Sequence, residues 1–391
     1  MSDAPNAAPP TPPQAPTERG TTAAAGFHDP STSRMFPCGQ CGADLRFDIG
    51  KQSLACEHCG HVQSLEVGAG DDVRENDFET ALAAAKRNHG SAQLPEAREL
   101  RCDACGANVI LPGKETANTC AFCGAPVQDE KAKQIAPGRF QIDGALPFQV
   151  DRQRADANLK QWIASRWFLP KDFKARGIDG KFSGVYLPFW TFDSMTANRY
   201  SGERGEHYWV EVGDAKNRRR ERRTRWYPAA GAFQRFFDDV LVCAAGALPE
   251  SIMLKLEPWP LDKVLPFKPD FLAGFVAETY TLDIEPGFRK AAARIDQALR
   301  ADVMRRIGGD TQRIHQIATR HNAIAFKHLL LPCWLLSYRY GETVYRLVVN
   351  AATGEVQGER PWSFARILLF VLMVVAIVAA VVGIIAVVSA P

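Results

Sequence analysis

The sequence lacks an apolar run near its start. Residues 1–30 hold nothing like the hydrophobic segment of a signal peptide, so export by an N-terminal route is not expected. Large apolar side chains stay scarce through residue 33, where seven prolines stand among alanines and threonines. Such a stretch buries too little surface to offset the entropy of ordering, and residues 1–33 are expected to be a disordered leader. Its Pro9-Pro10-Thr11-Pro12-Pro13 run has no flanking basic residue to make it an SH3-type ligand. Charge of one sign is also lacking: a formal net charge of +3 draws neither nucleic acid nor anionic lipid by bulk attraction, so an electrostatic case must rest on a local cluster. There is no phosphate-binding loop. Gly113-Lys-Glu-Thr116 comes nearest, but it has no upstream glycine and lies between cysteine pairs, so no ATPase is expected. There is no H-E-x-x-H motif either; His315, His321 and His328 are expected on a helix as packing or surface residues.

Charge is missing in a second sense across residues 367–388, which are 22 in number and uncharged. At 1.5 Å per residue they span about 33 Å, the thickness of a hydrocarbon core, and one transmembrane helix is expected over 365–389. Arg360 and Arg366 flank its N-terminal side, so the positive-inside rule puts the preceding residues in the cytoplasm. The expected arrangement is a tail-anchored, single-pass protein of a bacterial inner membrane.

What the sequence has is cysteine in a strict pattern. Eight of its ten cysteines form C-x-x-C-G pairs: Cys38, Cys41, Cys56 and Cys59, then Cys102, Cys105, Cys120 and Cys123, each position offset by 64. Two thiolates two residues apart grip one metal ion, and the glycine permits the positive φ of a tight knuckle. Two zinc ribbons are expected, over 34–66 and 99–130, holding two zinc ions per chain. Four protein ligands leave no open position, which makes the sites structural, leaves His58 and His61 surplus, and makes iron the minor alternative. Disulfides are not expected in a reducing cytoplasm. Between the ribbons, residues 67–98 read as a linker with a short helix, Asn76 and Glu79 forming a capping box.

Residues 134–362 read as one α+β domain with antiparallel sheet. Residues 151–167 place Ala155, Leu159, Trp162, Ile163 and Trp167 on one helical face, and residues 285–307 do the same with Phe288, Ala292, Ile295, Leu299 and Val303. Strand-like runs lie at 185–192, 207–212, 223–227, 275–284, 334–340 and 343–349, the last two joined through Gly341 and Glu342 as a hairpin. Leu187-Pro-Phe-Trp190 and Leu331-Pro-Cys-Trp334 each open a strand, the trace of a diverged duplication; both tryptophans are read as core anchors, and Cys243 and Cys333 as inert buried thiols. The basic run is Lys216, Arg218, Arg219, Arg220, Arg222, Arg223 and Arg225, a local +6 expected at a hairpin tip facing anionic lipid or an acidic partner.

Together with the C-x-x-C-G knuckles, six stretches carry a resemblance: 187–193, 200–205, 237–242, 307–310, 326–334 and 350–356. The chain resembles bacterial membrane-anchored proteins with TFIIB-type zinc ribbons, often labelled primosomal protein N′ (replication factor Y), superfamily II helicase. That resemblance covers most of the chain and brings no established activity with it. The leading expectation is a non-enzymatic adaptor whose ribbons, on a flexible arm, recruit a cytoplasmic protein to the membrane. Nucleic-acid binding is the rival; it is disfavoured because Arg46 and Lys51 are outweighed by Asp44, Asp48 and Glu57 within the first ribbon. An enzyme would have to be built on Asp193, Glu203, Asp238 and Asp239, which no spacing aligns.

Overall fold

The computed structural model describes residues 36–65, 73–85, 98–111, 119–127, 133–134, 140–170, 181–214, 217–340 and 343–388. The expected leader, most of the inter-ribbon linker, the Gly341-Glu342 turn and Lys216 lie outside them.

Three strands dominate: β9 (Lys181–Val212), β10 (Arg219–Cys243) and β13 (Thr311–Tyr340). They lie antiparallel in the order β10-β9-β13, so β9 is hydrogen-bonded on both sides along most of its length. The sequence explains the division of labour along β9. Residues 185–194 are buried on both faces, as the apolar run over 185–190 predicts, and the burial continues through Thr191, Asp193 and Ser194. From Met195 onward, exposure alternates, because only one face is covered there. The cover is a helix spanning Ile284–Ile307. Its buried positions Ile284, Ala291, Ile295, Leu299 and Val303 follow helical spacing, Glu285 lies in its first turn, and Arg305 and Arg306 lie in its last, as the helix dipole favours.

Shorter strands, among them β7 (Lys133–Gln134) and β11 (Leu265–Pro266), complete a twelve-stranded mixed sheet at the other end of β9. Near Val185, β12 (Val276–Glu278) pairs parallel with β9. Beyond β12 lies the hairpin of β5 (Arg98–Arg101) and β6 (Asn108–Leu111). On the outer side of β13 lie β4 (Asn76–Asp77), β8 (Gly144–Ala145) and β14 (Thr343–Asn350), with β15 (Val356–Gly358) on β14. A separate three-stranded sheet holds β1 (Leu45–Asp48), β2 (Ser53–Cys56) and β3 (Val62–Ser64). Numbered in chain order, the helices are α1 (Phe78–Ala85), α2 (Arg152–Ala164), the one-turn α3 (Glu250–Met253), α4 (Ile284–Ile307) and α5 (Phe364–Val388). The architecture is α+β.

Trp190 and Trp334 are both buried, and their indole N–H groups donate to Leu282 O at 2.8 Å and Val150 O at 2.7 Å. A buried indole needs such a partner, and these bonds tie β9 to the start of α4 and β13 to the start of α2.

Several expectations need correction. His315, His321 and His328 lie on β13, not on a helix, since pairing with β9 overrides any helical reading of 311–330. Trp167 lies beyond the end of α2 and is 70% exposed, so it is not part of the buried face. The run 275–284 yields only Val276–Glu278 as strand. At α1 the cap is Asp77, which accepts from Thr80 N at 2.8 Å, while the Asn76 amide donates to Asp143 at 2.9 Å. The expected separate strands at 185–192 and 207–212 are one continuous strand.

Gly202 lies where β13 carries a bulge between Ile314 and Gln316. A side chain there would collide with the carbonyl of Arg313 and press on Ile307 of α4. Gly202→Ala is therefore expected to cost about 1–3 kcal/mol. It should lower the melting midpoint followed by circular dichroism; an unchanged midpoint would show that β13 does not pack so closely on β9.

Candidate functional site

The four knuckles share one local geometry. In each, the glycine N–H returns to the carbonyl of the first cysteine: Gly42 to Cys38, Gly60 to Cys56, Gly106 to Cys102 and Gly124 to Cys120, at 2.8–2.9 Å. All four glycines have φ between +69° and +76°, a conformation that side chains disfavour. The turns bring the sulfurs together in two sets, each with every ligand atom within 4.8 Å of the others. Cys38 and Cys59 Sγ are 3.6 Å apart, Cys41 and Cys56 3.5 Å, Cys102 and Cys123 3.7 Å, and Cys105 and Cys120 3.8 Å. A disulfide needs about 2.05 Å, whereas the edge of a tetrahedron with metal–sulfur bonds of about 2.3 Å is about 3.8 Å. The spacing fits four thiolates around one ion. His58 and His61 are in neither set.

Electrostatics point the same way. The N–H of Cys59 helps push Cys56 down to about 7 against burial. Cys59 feels the lowering pull of the His61 N–H, yet the sulfur of Cys41 and burial push it up to about 12. Cys105 is pushed up by its hydrogen bond with Cys120 and by burial. Four clustered thiols cannot all ionise alone; a dication relieves the conflict.

Both clusters are built into the body. The chain from 34 to 391 is one compact unit. Phe47 of the first cluster packs its ring 6.3 Å from those of Phe271 and Phe275, and its N–H donates to Ala273 O. The second cluster enters the large sheet through β6 and β12, and Ser337 Oγ donates to the carbonyl of the fully buried Phe122 at 2.6 Å. Between the clusters is a cleft of about 590 Å³ with Arg46, Arg152, Phe182 and Trp334 in its walls. Among the described residues, apolar side chains inside each hairpin bind it to the core, where a flexible arm is expected from sequence.

The basic run lies at the opposite end of β9. Arg219, Arg220, Arg222, Arg223 and Arg225 sit on β10 itself and only Arg218 lies in the described part of the turn, which corrects the expectation of a loop. β13 ends its pairing at Gly205, so seven cross-strand pairs, from Glu206↔Arg225 to Val212↔Arg219, form a bare two-stranded ribbon about 23 Å long. Pairing also brings acids alongside. Residues 206–225 hold seven basic and four acidic side chains, a net +3. Arg218 stands 3.9 Å from Glu211, and Arg223 3.8 Å from Glu221. One face carries Trp209, 62% exposed, beside Arg222 and Arg220; the other carries Tyr208, with Arg225 over its ring at 5.2 Å.

Of the four acids suggested by sequence, the structure assembles three. Asp193, Asp238 and Asp239 lie within 4.8 Å of one another, because the bulge between Phe237 and Val240 turns the aspartates toward Asp193. Asp239 N donates to Asp193 at 2.6 Å, and Lys327 Nζ is 2.9 Å from Asp239 and 3.3 Å from Glu75. Burial, against the Asp239 N–H and Lys327, pushes Asp193 up to about 6. Glu203 is elsewhere, 3.7 Å from Arg313 and 3.8 Å from His315. Sequence reasoning missed the contact of Ser194 Oγ with His321 Nδ1 at 3.1 Å, a pair 127 residues apart with no local signal. Ser194 is fully buried, and the His321 ring lies against Phe288 of α4.

A protein of Bacillus subtilis (strain 168), the uncharacterised YdjG, is 27% identical to this chain over 337 residues, 85% of this chain and 91% of the relative. No family model matches the chain. No solved structure matches it. Nothing in these comparisons brings the TFIIB or primosomal names to it.

Metal analysis of the purified chain is expected to return about two equivalents per chain, and Cys56→Ser or Cys105→Ser about one. In the metal-free cluster the lowered pKa of Cys56 contributes stability that is present above the usual 9.0 and lost as pH falls through about 7; a bound ion needs thiolates and is displaced on further acidification. Metal content and melting midpoint should thus fall together on acidification; a midpoint that stays level while metal leaves would show the ions to be dispensable for folding.

Proposed function

We propose that this chain is a non-enzymatic adaptor of a bacterial inner membrane, stapled by two structural zinc ions, that holds a cytoplasmic partner of acidic surface at the bilayer. One observation carries this reading: the two faces of the work sit at opposite ends of one strand. The cysteine clusters, β15 and the entry to α5 gather around the first residues of β9, while the arginine and tryptophan ribbon occupies its last. From Phe182 to Val212 a fully extended strand covers about 100 Å. Twist and bulges shorten that span, yet it far exceeds a Debye length of about 8 Å, so the ribbon's charge is set apart from the anchor's.

Zinc is favoured because closed four-thiolate tetrahedra are its commonest structural environment. The membrane reading rests on α5: residues 364–383 have a mean hydropathy of 2.9 and none of that stretch is buried. Arg360 and Arg366 at its entrance favour a cytoplasmic domain. In this reading the clusters are staples, and recruitment moves from them to the ribbon. Trp209 with Arg220 and Arg222 has the composition of a protein-binding anchor. Nucleic acid is the second reading, favoured by the fit of a two-stranded ribbon to a major groove and opposed by Glu206, Glu211 and Glu221 among the arginines.

Removal of residues 364–391 is expected to shift the protein into the carbonate-soluble fraction; a truncated chain that still resists carbonate would end the single-anchor reading. Affinity capture from detergent-solubilised membranes should yield a protein that is lost about tenfold on changing Trp209→Ala, Arg220→Ser and Arg222→Ser together, with metal content unchanged. Capture that survives this change, or nucleic acid bound at physiological salt and lost by it, would overturn the adaptor assignment.

A further inference from the structure

The loop that follows α2 lies alongside the first turns of α5. Ser363 N donates to Phe168 O at 2.9 Å, and Arg366 Nη1 donates to Trp167 O at 2.7 Å. The Phe168 ring meets Phe370 edge-on at 5.6 Å and Trp362 at 6.3 Å. Phe370 is six residues into α5, about 9 Å along its axis. A loop in contact with that turn shares its depth. The fully buried Leu169, one residue on, fixes the loop to the domain core.

What this loop and the helix entrance display in common is aromatic and cationic. Trp167 is 70% exposed, Trp362 52% and Phe364 84%. Arg166 lies over the Trp162 ring at 4.7 Å and Arg360 over Trp362 at 4.6 Å. Among the described residues no carboxylate is within ion-pairing distance of Arg166, Arg360 or Arg366, although ion pairs abound elsewhere on the surface. Glu359, adjacent in sequence, has its N–H on Arg346 O, and its charge is felt by Tyr338. Burial and then the like charge of Arg166 hold Arg360 below its ordinary value, the mark of two cations sharing a site with no anion.

We propose that the 165–168 loop is a second membrane contact, seating Trp167 and Phe168 at the headgroup level while Arg166, Arg360 and Arg366 bind the phosphates of anionic lipid. The assignment rests on α5 being membrane-spanning. Its support is continuity with that apolar helix, an indole exposed where indoles favour the interface, and unneutralised guanidinium groups suited to bidentate phosphate contacts. The consequence is a domain clamped to the bilayer at a set angle by two points of attachment. The basic ribbon, expected from sequence to face anionic lipid or an acidic partner, is left free for the second of these.

The test uses the full-length chain in phosphatidylcholine vesicles with and without phosphatidylglycerol, some lipids carrying bromine near the headgroup end of the acyl chain. Shallow bromine is expected to quench tryptophan emission, and Trp167→Phe to reduce that quenching about twofold, leaving Trp362 as the remaining target. Arg166→Gln with Arg360→Gln should remove the excess quenching that phosphatidylglycerol brings. Trp167 is exposed, so its replacement leaves the fold and metal content intact. A chain that floats with the vesicles but whose quenching is indifferent to Trp167→Phe would overturn this contact, by placing the loop in water or against protein, and would leave the span standing. A wild-type chain that fails to float would remove both.

Discussion

Strand β9 is 32 residues long, and the need of its backbone amides and carbonyls for partners on both sides organises the rest of the protein. β13 satisfies one side along most of that length; β12 and then β10 satisfy the other. The other strands of the large sheet attach to this ladder, and α4 covers part of it. Where both faces are covered, β9 is mostly apolar, with Thr191, Asp193 and Ser194 buried at the end of that stretch; where α4 covers one face, it alternates; where nothing covers it, it carries Trp209, Glu206 and Glu211 into solvent. One strand thus passes through three environments in sequence.

Metal geometry solves a local problem within this frame. The hairpins of the two cysteine clusters are too small to hold themselves by apolar burial. Each has the sulfur geometry to gain from an ion what it lacks in core, and lends a few apolar side chains, Phe47 in one and Phe122 in the other, to the main domain. The 64-residue repeat produced two similar clusters with different attachments. One packs on the body through its own small sheet, and the other donates its strands to the large one.

Buried polar groups along the middle of β9 show how the α4 face is kept specific. Thr196 Oγ1 donates to Arg235 O, the Asn198 amide donates to Thr196, and Arg235 pairs with Asp302 of α4 at 2.6 Å. Such groups add little net stability, but an unpartnered one is costly, so they define the register of helix against sheet.

The sequence by itself determined what depends on near neighbours. Cysteine spacing foretold both sulfur clusters and the positive φ of their glycines, because a knuckle closes within five residues. Helical spacing foretold α2 and α4, and an uncharged run foretold α5, because periodicity and hydropathy are local. Tertiary structure alone decided what depends on register. It joined strand fragments into β9 and set Glu206 and Glu211 across from Arg225 and Arg220, which with Asp214 of the turn brings a local +6 to +3 over the ribbon. It brought Asp193 to Asp239 through a bulge while sending Glu203 to Arg313, and laid Phe168 against Phe370. Each of these joins residues far apart in the chain, and a shift of one residue in pairing turns every side chain of a strand to the opposite face, so no local pattern encodes them.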